Sequence, residues 1–212
     1  MNDTNNSATC WPWSIVRADM ADVDTLSQVI ATAFHDLPPS QWLIADPKAR
    51  RAISPGYFQI YVQHALANGI VHTTRERTAA ALWLPVGTHG PTPVPDHDAR
   101  LAVATHPWTS RFQVFDAALE RHHPTGPPHH HLAILAVRPD HQGQGIGNAL
   151  LLAHHATLDR DGLAAYLEAS DLSTRGVYLR RGYADHRRPI RLPDGPALYP
   201  MLREARECVA PQ

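Results

Sequence analysis

The chain has 212 residues, enough to bury one full core. Its formal net charge is −1, which argues against a general nucleic-acid footprint. Only Cys10 and Cys208 are present and no C-x-x-C occurs, so neither a zinc site nor a disulfide framework is implied. The first ten residues are polar and read as a flexible tail, as do residues 207–212. No apolar run approaches the ~20 residues that span a bilayer, so the expectation is a cytoplasmic protein with one domain over 11–206.

In chain order, residues 14–17 read as a first strand. Asp19 is an N-cap for a helix through Phe34, with Val23, Leu26, Val29, Ile30 and Ala33 on one face. Residues 35–47 read as an apolar loop. A second helix covers 48–67 and ends at Asn68-Gly69, and Ser54-Pro55-Gly56 should break or kink it. A hairpin of strands follows at 70–74 and 78–84, then a Gly/Pro-rich loop at 86–96 and helical pieces over 98–119 interrupted at Pro107.

The most informative stretch is Leu132-Ala133-Ile134-Leu135-Ala136-Val137-Arg138-Pro139-Asp140-His141-Gln142-Gly143-Gln144-Gly145-Ile146-Gly147. An apolar strand, about 130–137, stops at a proline, and a three-glycine loop then opens a helix over 145–161. Ile146, Ala149, Leu150, Ala153 and Ala156 mark the helix's expected buried stripe. Backbone N–H groups and a helix N-terminus aimed at one point make a phosphate site. The spacing is not the dinucleotide Gly-x-Gly-x-x-Gly, and no Gly-Lys-Ser/Thr is present. Further on come a strand over 163–169, a short helix over 174–181, and strands over 183–187 and 197–203. Early helices, mixed strands and a central strand–loop–helix indicate an α/β (α+β) sandwich.

Two blocks in order resemble the GCN5-related N-acetyltransferase (GNAT) superfamily. The first is Val137-x-Pro139-x-x-Gln142-Gly143-x-Gly145-x-Gly147, which is similar to its coenzyme A signature. The second is Tyr178-Leu179-Arg180-Arg181-Gly182-Tyr183. Within the superfamily, Ala33-Phe34-His35-Asp36-Leu37-Pro38 and Leu167-Glu168-Ala169-Ser170 resemble the small-molecule branch that includes puromycin N-acetyltransferase. The resemblance implies a mixed central sheet of about six or seven strands with a splayed cofactor-binding strand. It also implies direct transfer of an acetyl group from acetyl-CoA to the amine of a small molecule, in an antibiotic-resistance or tailoring role. The alternatives are a protein N-terminal or lysine acetyltransferase and a non-catalytic acyl-CoA sensor.

The resemblance also assigns roles. Gln142, Gly143, Gln144, Gly145, Ile146, Gly147 and Asn148 would cradle the pyrophosphate. Leu135, Ala136 and Val137 would pair with the pantetheine arm, which Thr174 would also hydrogen-bond. Tyr178 would protonate the leaving thiolate. Glu168 is the first candidate for the base, with simple binding of the substrate ammonium as the rival role. His130 or His131 is the alternative base, and His131, with His35 and Asp36, would contact the acceptor. The runs His122-His123 and His129-His130-His131 lack the ordered spacing of a metal site and read as strand entry, so no metal is expected. Expected partners are the amine substrate alone, with neither nucleic acid nor membrane, on a monomer or homodimer.

Overall fold

In the computed structural model the described residues are 13–206. Both terminal tails, Cys10 and Cys208 lie outside them. The described elements are β1 (Ile15–Arg17), α1 (Val23–Phe34), α2 (Pro38–Leu43), α3 (Pro47–Asn68), β2 (Ile70–Thr74), β3 (Ala79–Val86), α4 (His97–Thr105), α5 (Thr109–His122), β4 (His129–Val137), α6 (Ile146–Asp161), β5 (Ala164–Ala169), α7 (Leu172–Leu179), β6 (Ala184–Asp185), β7 (Ile190–Arg191) and β8 (Ala197–Arg203). No described helix is long and apolar enough to cross a membrane.

Local chemistry explains most of the boundaries. Asp19 accepts from the Ala21 N–H at 2.8 Å, and Asp22 accepts from the Asp19 N–H at 3.2 Å, so a 3-10 turn leads into α1. Asp46 caps α3 by accepting from the N–H groups of Lys48 and Ala49, and Pro47 holds the first helical position. The 35–47 segment is not a bare loop, because its apolar residues fold into α2. Nor does Pro55 break α3. A mid-helix proline costs ~3 kcal/mol. Tyr57, Phe58, Ile60, Val62 and Ala65 of the same helix are buried, and each large apolar side chain contributes about 1.5–3 kcal/mol. Packing therefore outweighs the proline.

Gly69 follows α3 with φ −147°, outside the left-handed region, so its need for glycine is not that of a left-handed C-cap. A Cβ there would lie 2.1 Å from the Trp83 carbonyl oxygen. Gly69→Ala should therefore force β2 and β3 apart and cost roughly 1–3 kcal/mol, read as a lower denaturant midpoint.

The strands form one mixed sheet in the order β1-β2-β3-β4-β5-β8-β6, with β7 paired to β8. The eight strands exceed the expected six or seven by the two-residue β7, which no sequence pattern marked. Among the described strands only β4 and β5 run parallel, and their pairing is confined to His129–His131 against Ala164–Tyr166. Beyond that point the two strands splay. Between β3 and β4 the register shifts, with Leu82 opposite Ile134 but Trp83 opposite Leu132, so Ala133 is a bulge residue.

Apolar clusters cover both faces. Leu26, Ile30, Tyr57, Phe58, Val62, Leu82, Ile134 and Ala136 pack beneath α1 and α3. Trp83, Leu132, Ile146, Leu150, Leu151, Leu158, Leu167 and Met201 pack beneath α6. The buried stripe of α6 departs from the alanine pattern. Ala153 and Ala156 are exposed, while His154 and His155 are buried. His154 stacks on Trp83 at 4.3 Å and shares a 2.9 Å hydrogen bond with His130, and His155 hydrogen-bonds the Tyr183 hydroxyl at 2.9 Å. Aromatic stacking and satisfied ring nitrogens make imidazoles acceptable where hydropathy alone favours alanine.

Candidate active site

The loop after β4 is built as a cradle. Gly143 and Gly145 adopt φ +76° and +83°, in the left-handed region that strains other residues. They turn the chain into α6, whose N-cap Gly145 offers no side-chain acceptor. The first N–H groups of a 16-residue helix are thus uncapped by side chains and point at one place, with the helix dipole behind them. Asn148 Oδ1 is buried without a hydrogen-bond partner. The glycine turn and the uncapped N–H groups fit a pyrophosphate, whereas an amide oxygen such as Asn148 Oδ1 accepts and gives an anion no hydrogen bond. The Gln142 side chain donates to the Val137 carbonyl at 3.0 Å, and its backbone N–H reaches the Pro139 carbonyl at 3.3 Å. Gln142 therefore braces the loop, contrary to the expectation that it supplies an N–H, and the open N–H groups begin after it. Gln144 accepts at its carbonyl from the Trp13 indole at 3.0 Å. A Cβ on Gly147 would meet Val137 Cγ2 at only 3.6 Å, so no clash demands glycine there.

Leu135, Ala136 and Val137 lie on the stretch of β4 that has parted from β5. Their backbone edge toward β5 pairs with no described strand and can accept an extended ligand in the manner of an added strand. Thr174 departs from expectation. It sits in a capping box with Asp171, its hydroxyl accepting from the Asp171 N–H at 3.2 Å and donating to the Asp171 carbonyl at 3.1 Å. Asp171 creates that local partnership and turns the hydroxyl to helix capping. Tyr178, on α7, packs against the α6-face cluster and meets Tyr183 edge to face at 5.5 Å. Burial pushes its phenol above the ordinary tyrosine value, so at neutral pH it holds its proton.

On the opposite face, Glu168 of β5 and His131 of β4 meet. His131 Nε2 donates to Glu168 Oε2 at 2.9 Å, and Glu168 Oε1 is buried without a partner. Burial pushes this carboxyl up, but the charge and hydrogen bond of His131 outweigh it and hold the group below its usual value. Glu168 is therefore ionised at neutral pH. His123 packs against His131 at 4.9 Å and stacks on His129 at 5.3 Å, and burial, then His131 and His129, holds its imidazole down at about 4.

The pair opens into a cavity of about 170 Å³ whose walls include Phe34, Leu37, Tyr57, Phe58, Phe115 and Asp116. A wider groove of about 610 Å³ adjoins it and shares Tyr61, Asp116, His131 and Glu168. The second carboxylate, Asp116, accepts from the Tyr57 hydroxyl at 2.9 Å and lies 3.4 Å from His97 Nε2. The hydrogen bond and charge of Asp116 raise the His97 imidazole above its ordinary value. Sequence reasoning missed Asp116, Tyr57 and Tyr61. A carboxylate amid the helical pattern of 98–119 looks like a solvated face, and only the packing of α5 on α3 aims it inward.

His35 and Asp36 fall elsewhere. They line a separate hollow with Gln28, Arg51 and Pro139, and Asp36 is 86% exposed. At the end of α1, Phe34 and Leu37 share the inward side, which leaves the two residues between them outside the Glu168 cavity.

The fold is that of the GNAT class. The sequence model of the acetyltransferase (GNAT) domain family matches residues 118–205. A protein of Corynebacterium glutamicum, described as histone acetyltransferase HPA2 and related acetyltransferase, superposes with a TM-score of 0.65 at 24% identity, covering 93% of this chain and 99% of its own. Arylalkylamine N-acetyltransferase 2 of Aedes aegypti gives 0.61 at 12% identity over 92% of this chain and 100% of its own. A polyamine N-acetyltransferase of Drosophila melanogaster, an enzyme that catalyses the formation of N-acetylagmatine, gives 0.56 at 18% identity over 90% of this chain and 97% of its own. Residues 118–205 thus match a GNAT acetyltransferase domain model, and the chain as a whole shares the fold of these acetyltransferases.

Proposed function

We propose that this protein transfers an acetyl group from acetyl-CoA to the amine of a small molecule by direct attack in a ternary complex. The observation that carries this reading is the splay of β4 from β5, with an uncapped helix N-terminus at one end and a buried carboxylate–imidazole pair at the other. Bound along the splay, acetyl-CoA would supply a thioester whose C–S bond breaks as the new C–N bond forms. The N–H groups from Gly143 to Asn148 would hold its pyrophosphate, and the free edge at Leu135, Ala136 and Val137 its pantetheine arm.

The chain's own groups then manage the protons. An alkylammonium has a pKa near ~10.4 and must lose a proton before it can attack. The Glu168–His131 pair takes that proton. Glu168 is held low, so it takes the proton as part of its 2.9 Å hydrogen-bonded contact with His131 and not as an isolated carboxylate. Tyr178, on the other face of the sheet, gives its proton to the departing sulfur. Donor and acceptor of protons thus work from opposite faces of one gap.

The aromatic walls of the cavity suit an amine with an apolar body, and Asp116 adds a second negative group beyond the reacting one. The two similar insect proteins, an arylalkylamine and a polyamine N-acetyltransferase, agree with such an acceptor. An antibiotic or other secondary metabolite carrying a primary amine satisfies the same chemistry.

Thiol release measured with a panel of small primary amines tests this. Release with small amines and none with peptides is expected. Release only with peptides would favour a protein acceptor, and tight CoA binding with no release would favour a sensor. Tyr178→Phe should lower the rate by roughly 10²-fold and alter the basic limb of its pH profile. An unchanged rate and profile would remove Tyr178 as the acid.

A further inference from the structure

We propose that His123, His131 and Glu168 bind one divalent transition-metal ion of the zinc class, with His129 positioning His123, and that the ion shuts the cleft to the amine. The three ligands come from three places in the fold. His123 follows α5, His131 lies on β4 on the same face as His129, and Glu168 stands on the neighbouring strand β5. Ligand atoms of His123, His131 and Glu168 all lie within 4.8 Å of one another.

The tautomers and distances fit a ligand set supported from behind. His129 Nδ1 donates to the Pro127 carbonyl at 3.0 Å, so its Nε2 accepts from His123 Nε2 at 3.3 Å. A hydrogen bond from the far nitrogen of an imidazole is the usual support behind a metal-bound histidine, and it leaves the other nitrogen of His123 as the ligand. His131 Nε2 and Glu168 Oε2 are 2.9 Å apart and need only to open slightly once the shared proton leaves. Glu168 Oε1 is buried and unpartnered beside them. Two imidazoles and one carboxylate, with a fourth position left for water, favour zinc, cobalt, nickel or copper over calcium or magnesium.

The consequence for catalysis rests on the acetyl-transfer reading. An ion on Glu168 and His131 occupies the lone pairs that would receive the amine's proton.

The test titrates the protein with Co²⁺, without acetyl-CoA or amine, and follows visible absorption. We expect saturation at one equivalent, displacement by Zn²⁺, and at least about tenfold weaker binding in His123→Gln. His129→Gln, with its fold checked by circular dichroism, should weaken binding alike. No saturable absorption, or equal affinity in both variants, overturns the site. Separately, Zn²⁺ should suppress thiol release reversibly with chelator, and much less in His123→Gln. Binding without suppression overturns the blocking role. The absorption titration stands even if no amine is ever acetylated, so failure of one reading is distinguishable from failure of the other.

Discussion

Glu168→Gln is expected to lower kcat by about 10²–10⁴-fold, with a smaller change in the KM for the amine. The substitution keeps the shape of a side chain that is only 7% exposed, so the loss reads chemistry before packing. Its target is the hydrogen bond from His131 Nε2 at 2.9 Å, which a neutral amide accepts less strongly and without a balancing charge. The expected loss corresponds to about 3–5 kcal/mol of transition-state stabilisation. The rival role, an anchor for the substrate ammonium, gives the other split, in which KM rises while kcat stays. Steady-state kinetics on a good amine decides between them. An unchanged kcat would sink the proton-acceptor role of the pair.

Acid should unfold this protein earlier than its modest charge suggests. His154 and His155 are buried at 1% and 3% exposure against Trp83 and Tyr183. Burial, aided by His130 and His72, holds His154 down at about 3, and burial together with Arg203 holds His155 down at about 4. In the unfolded chain both protonate near ~6.5. Between those values the unfolded chain binds more protons, so stability is fully present above ~6.5 and falls as pH drops toward 4. For the two residues the loss from pH 7 to pH 4 is on the order of 5 kcal/mol, comparable to the whole stability of a small domain. Denaturant unfolding followed by tryptophan fluorescence across that range measures it. A free energy of unfolding that stays flat from pH 7 to 4.5 would contradict the account.

What the sequence revealed depended on how local the signal was. The cradle from Gly143 to Asn148 was legible because a loop and a helix start lie in one run of chain, and Tyr178 because a second block stands at fixed spacing from it. Glu168 was singled out as the acidic residue on the strand beside β4. The walls of the cavity were not legible. Tyr57, Phe58 and Asp116 belong to helices whose sequence patterns show which side is apolar but not where a hollow is left between them. His35 and Asp36 were chosen from a loop position alone, and the helical turn put their neighbours inside. His154 and His155 were hidden by their polarity, since hydropathy alone puts alanine in the buried stripe of α6. The convergence of His123 on His129 is made by the turn between α5 and β4, which no spacing rule contains.

The run His129-His130-His131 has one further consequence. Its odd members face the cleft and its even member faces His154, so a slip of the strand by a single position would still offer a histidine on each side. The imidazoles therefore carry no information about alignment. Leu132, which must enter the α6 core, and the extra residue at Ala133 carry it instead. Chemistry and registration are written in adjacent letters of one strand. Changes to the histidines should alter what the cleft does, whereas an insertion or deletion at 132–133 should alter which residues reach it.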